Sequence, residues 1–64
     1  MILIPVNSSA IRKVGYNGAT LAVLFHTSAT LYKHPGVPLS VYLGFMASSS
    51  MGAYYNRHIR GRYK

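Results

Sequence analysis

Apolar and polar positions alternate through the first half of the chain and recur at helical spacing through the second. The change of period falls near Pro35-Gly36-Val37-Pro38, where two prolines and a glycine halt any regular element. IRKVGY, residues 11–16, carries apolar side chains at Ile11, Val14 and Tyr16. It stops at Asn17-Gly18, a dipeptide suited to the left-handed conformations of a type I′ hairpin turn. TLAVLFHT then sends Leu21, Val23 and Phe25 one way and Ala22, Leu24 and His26 the other, the signature of a central strand. After Thr27-Ser28, ATLYKH places Leu31 and Lys33 opposite Thr30, Tyr32 and His34, a third antiparallel strand.

Beyond Pro38, which suits a first helical turn, PLSVYLGFMA sets Leu39, Tyr42, Leu43 and Met46 on one stripe with Val41 and Phe45 beside it. A helix near 38–47 is expected to cover the sheet. Ser48-Ser49-Ser50 is placed to end it and cap a second helix near 51–61, in which Tyr55, Ile59 and Tyr63 recur at i, i+4 and i+8. Gly61 weakens the last turn by roughly 1 kcal/mol. The fold expected is α+β, a three-stranded antiparallel β-meander packed by one or two C-terminal helices in a single domain spanning 1–64.

Composition narrows the chemistry. Of the 64 residues, seven are Lys or Arg and none is Asp or Glu, for a formal charge of +7; there is no cysteine. No side-chain salt bridge can form, so each cation must be solvated, stacked on a ring, bonded to backbone carbonyls or matched by a partner's anion. Carboxylate-dependent glycosidases, Ser-His-Asp triads, two-metal phosphoryl transfer and calcium loops are excluded. Ser8, Ser9 and Ser48-Ser50 read as caps rather than nucleophiles, and Asn56 as a structural hydrogen-bonding residue. The expectation is a non-enzyme. His26, His34 and His58 lack the paired spacing of zinc motifs, so no metal or cofactor is expected. MILIPV and LAVLF fall short of the roughly 20 apolar residues that cross a bilayer, and the start lacks the features of a secretory signal. A cytoplasmic protein without membrane contact is expected.

The cations define the candidate site. On a regular helix from Gly52, Arg57, Arg60 and Lys64 share one stripe and Arg62 lies near His58, a basic ridge beside the Tyr55-Ile59-Tyr63 seam. This ridge contacts phosphate or is a solvated face set against the helix C-terminal dipole. Arg12, Lys13 and Lys33 add charge elsewhere. Tyr32, His34 and Tyr54 are candidate stacking residues for an unpaired base, although burial preferences place a strand tyrosine such as Tyr32 in the core. Lys33 must point away from Tyr32 and His34, so these residues cannot all act on one face.

The order Val6, Ser8-Ser9, Ile11, Val14-Gly15-Tyr16, Leu21-x-Val23-x-Phe25, Tyr32, Gly36-Val37-Pro38, Val41-Tyr42, Ser50-x-Gly52, Tyr55-Asn56, Ile59 and Tyr63 resembles the KTSC domain. That module, of about this length, takes its name from the C-terminus of some lysyl-tRNA synthetases and also stands alone in small bacterial and phage proteins. The resemblance implies RNA binding as a suggested role. Two features depart from the family: its central Tyr-x-Tyr is Tyr32-Lys33-His34 here, and its scatter of acidic residues, often in a longer first turn, is missing. The expected function is a non-catalytic nucleic-acid-binding module, with RNA or another single strand held mainly by backbone electrostatics. The alternative is a small phage or bacterial protein that forms homo-oligomers and blocks an anionic host protein or sequesters an anionic nucleotide, for which the Ala22, Leu24 and His26 face offers a surface.

Overall fold

The structure is a computed structural model that describes residues 2–63. Its sheet has four antiparallel strands in the order β1-β2-β3-β4: β1 Ile4–Pro5, β2 Ile11–Tyr16, β3 Leu21–Phe25 and β4 Leu31–His34. The expected three-stranded meander is β2 to β4. The additional strand β1 is only two residues long, pairs Ile4 with Val14 and Pro5 with Lys13, and is too short to carry an alternating pattern.

A bulge explains how β2 serves the core. Ile11 pairs with Phe25 and Lys13 with Leu24, leaving Arg12 as the extra residue. In a regular strand Ile11 and Val14, three apart, would face opposite sides. The inserted Arg12 resets the alternation, so both are fully buried while Arg12 stands exposed. The β2–β3 loop differs from a type I′ turn. Gly18 has φ 93°, but no residue other than glycine has positive φ among those described. Asn17 instead accepts the Ala19 and Thr20 amides on its Oδ1, at 3.0 and 2.7 Å, an Asx turn.

Helix α1 spans Leu39–Ala47 with Pro38 just before it, and the Pro38 carbonyl accepts the Val41 and Tyr42 amides. Its inward stripe is Phe45, fully buried, with Val41, Tyr42 and Met46 half-buried; Leu39 and Leu43, expected inside, are 57% and 54% exposed. Tyr42 turns inward to stack on Tyr16, centroids 4.3 Å apart, and that leaves the Leu39-Leu43 row outermost. The serine triplet does not cap the next helix. The Ser48 hydroxyl donates to the Ser50 carbonyl and accepts the Ser50 amide, while Ser50, at the N-cap, makes no side-chain cap bond.

Helix α2, Met51–Tyr54, passes directly into a π-helical turn, Tyr55–Ile59. The expected helix over 51–61 ends early: Arg60 is extended at ψ 126°, and Gly61 takes φ 78°. Met51, Tyr55 and Ile59 seal the core against Ile11, Val14, Leu21, Val23, Val37 and Phe45. Fully burying each such large apolar side chain contributes roughly 1.5–3 kcal/mol. Among the described residues no helix is long and apolar enough to cross a membrane.

Candidate functional site

The π turn decides where the C-terminal cations go. Its i→i+5 bond, from the Arg60 amide to the Tyr55 carbonyl at 2.8 Å, fits one more residue into the turn than an α-helix does. Residues four and five beyond Tyr55 therefore flank it together. Ile59 takes the core side, and Arg60 takes the side facing the β3–β4 turn. Arg57 and His58 turn toward Ser48 and Ser50 instead. The single stripe expected for Arg57, Arg60 and Lys64 is thus divided, and Lys64 lies outside the described residues.

Two grooves result. The larger, about 290 Å³, has an aromatic floor of Phe25, Tyr32 and Tyr55 and a rim that includes Ser28, Asn56 and Arg60. Phe25 stands edge-on to both tyrosines, with centroids 5.7 Å from Tyr32 and 5.1 Å from Tyr55. Tyr32 is not a core residue as burial preference would have it; it sits on the edge strand and stays 43% exposed. The smaller groove, about 150 Å³, is bounded by Ser48, Ser50, Tyr54, Arg57 and His58.

His34 leaves the stacking set. It is buried, and both ring nitrogens are engaged. A carbonyl can only accept, so Nδ1–H donates to the Tyr63 carbonyl at 2.7 Å, and Nε2 then accepts the Tyr55 hydroxyl proton at 2.8 Å. The ring fastens the C-terminal segment to the edge strand, which is structural work. Burial pushes the Tyr55 phenol above the ordinary tyrosine pKa; Arg60 opposes that shift and Tyr32 adds to it. Tyr54 is half-buried, lies 4.5 Å from His58 between ring centroids, and donates to the Val41 carbonyl at 3.2 Å.

The remaining cations are dispersed. Arg12, Lys33 and Arg62 are exposed and Lys13 is half-buried. The register puts Lys33 opposite Ala22 on the face away from Tyr32, and Lys13 opposite Leu24 on that same face. There Ala22 has no exposure and Leu24 is half-buried, while His26 is exposed with Nε2 2.9 Å from the Ser8 carbonyl. Groups of three or more His, Cys, Asp or Glu able to hold a metal do not occur among the described residues. Sequence reasoning missed Phe25, Ser28 and Asn56 as groove residues. Nothing in their local pattern signals that the β3–β4 turn meets the C-terminal segment.

Comparison with known proteins gives a consistent result. No curated protein matches the chain. The crystal structure of a KTSC domain protein from Yersinia pestis superposes with a TM-score of 0.90 at 29% identity, covering 98% of this chain and 90% of that one. The family model for the KTSC domain matches residues 7–63. The chain belongs to the KTSC domain family.

Proposed function

We propose that the protein is a non-catalytic module that binds single-stranded nucleic acid, RNA in particular, chiefly through phosphate contacts. The observation that carries this reading is the exposure of Arg12, Lys33, Arg57, Arg60 and Arg62 in a chain with no acidic side chain to neutralise them. Any polyanion meets an uncompensated field, and phosphates are its commonest multivalent source. The division of Arg57 and Arg60 between two grooves supports a strand that crosses the π turn, with a phosphate on each side.

The test is a salt series. Each phosphate neutralised on a single strand contributes about −0.7 to the slope of log affinity against log salt, so engagement of three or four cations gives a slope near −2 to −3. Replacing Arg57 with Gln is expected to weaken binding to all sequences alike and reduce the slope by about 0.7. A labelled RNA oligomer whose affinity hardly changes between low and high salt would refute the electrostatic reading.

A further inference from the structure

The aromatic groove has properties that phosphate binding does not require. Backbone electrostatics needs cations and no rings, yet Arg60 shares this groove with three aromatic side chains. Small-molecule pockets run from about 300 Å³ upward, so 290 Å³ has room for one ring system and little more. Tyr32, 43% exposed on an edge strand, can offer its ring to a ligand without leaving a core. Asn56, exposed on the first turn beyond Tyr55, carries both donors and an acceptor, the complement of a base edge. Arg60 adds a permanent cation beside the floor, where the phosphate attached to a stacked base would lie.

We infer that this groove takes one unpaired nucleotide of a bound single strand, with its base stacked on Tyr32, its edge read by Asn56 and its phosphate held by Arg60. The assignment rests on the single-strand reading above and adds a base-dependent component to it. The π turn is what assembles the site. In an α-helix Arg60 would stay nearer Arg57 and away from Tyr32, separating the cation from the ring.

The experiment compares an oligoadenylate with an abasic oligomer of the same length and phosphate count, using the full chain and fluorescence anisotropy. Stacking of one base on an aromatic residue predicts at least about fivefold tighter binding of the oligoadenylate, with equal salt slopes for the two ligands. Tyr32→Leu should bring the oligoadenylate down to the abasic level and leave abasic affinity unchanged, and Tyr32→Phe should retain the difference. Asn56→Ala, at an exposed position, provides a second variant should Tyr32→Leu fail to fold; it too should narrow the gap. Equal affinities for both oligomers would overturn the base pocket while leaving the electrostatic reading in place. No affinity for either would overturn both. Adenosine monophosphate binding as tightly as the oligomer would overturn the single-strand assignment in favour of a free nucleotide.

Discussion

Replacing Tyr55 with Phe removes one oxygen from the clamp that His34 makes. The ring itself keeps its neighbours, since Phe25, His34 and Phe45 lie at centroid distances of 5.1, 5.4 and 6.5 Å. What is lost is the proton donated to His34 Nε2, which then faces the interior without a partner. Leaving a buried acceptor unsatisfied costs about 1–3 kcal/mol. A domain of this length has roughly 3–10 kcal/mol of total stability, so the loss is a substantial fraction. At about 4–8 °C per kcal/mol for small domains, Tyr55→Phe should melt roughly 4–24 °C below the parent by circular dichroism. His34→Phe keeps an aromatic ring at the site, though a larger one, removes both nitrogens and also frees the Tyr63 carbonyl, so a double-mutant cycle with Tyr55→Phe isolates the pair. Its coupling should be about 1 kcal/mol or more. Oligonucleotide affinity of the folded His34→Phe protein should match the parent, because His34 holds the chain and not the ligand. A Tyr55→Phe melt within about 2 °C of the parent, or negligible coupling, would show that the short contacts contribute little.

Two further outcomes follow from single contacts. Gly44→Ala in a helix ordinarily stabilises by about 1 kcal/mol, but here a Cβ would collide with the Tyr54 hydroxyl and crowd its ring, so the melting temperature should fall. In a Tyr54→Ala background the same substitution should raise it, and a stabilising effect in both backgrounds would disprove the close packing. For pH, the raised Tyr55 pKa means that between about 10 and the folded value the unfolded chain has released a proton the native state still holds. Stability from this group is therefore complete below about pH 10 and is lost as pH rises through the folded value. Melting curves from pH 8 to 11.5 should fall more steeply above about 10 for the parent than for Tyr55→Phe, and parallel slopes would contradict it.

The parts of the fold that follow regular periods were legible in the sequence. Leu21, Val23 and Phe25 alternate without interruption, and their strand runs from Leu21 to Phe25. Ile11 and Val14 break the alternation, and only the partner strand reveals the bulge at Arg12 that reconciles them. The C-terminal segment was legible as a Tyr55-Ile59 seam, because i and i+4 remain neighbours whether the turn is α or π. The direction of Arg60 was not, since one additional residue per turn leaves no mark on composition or spacing. The role of His34 is hidden from the sequence for a related reason. A histidine after a tyrosine and a lysine looks like a surface strand end until the Tyr63 carbonyl, twenty-nine positions along the chain, is found against its Nδ1.

The two departures from regular geometry have a common consequence. A chain with seven cations and no acidic side chain cannot neutralise a cation through a side-chain ion pair, so each one is left to water, an aromatic ring, backbone carbonyls or a ligand. Regular periods would give a different placement at two positions: an unbulged β2 could not keep both Ile11 and Val14 in the core with Arg12 outside, and an α-helical turn would keep Arg60 in a row with Arg57. The bulge and the π turn each insert one residue, and each insertion re-aims an arginine while the nearby core residues, Ile11 and Val14 in one case and Tyr55 and Ile59 in the other, stay buried. Bulges and π turns forfeit regular hydrogen bonding and concentrate where side chains must be re-aimed for function. The arginine at the π turn is the one that reaches an aromatic groove. Shortening the π turn by one residue, through deletion of His58, which leaves both Asn56 and Arg60 in the chain, should abolish discrimination between oligoadenylate and its abasic counterpart while leaving the salt-dependent binding that Arg12, Lys33 and Arg57 supply.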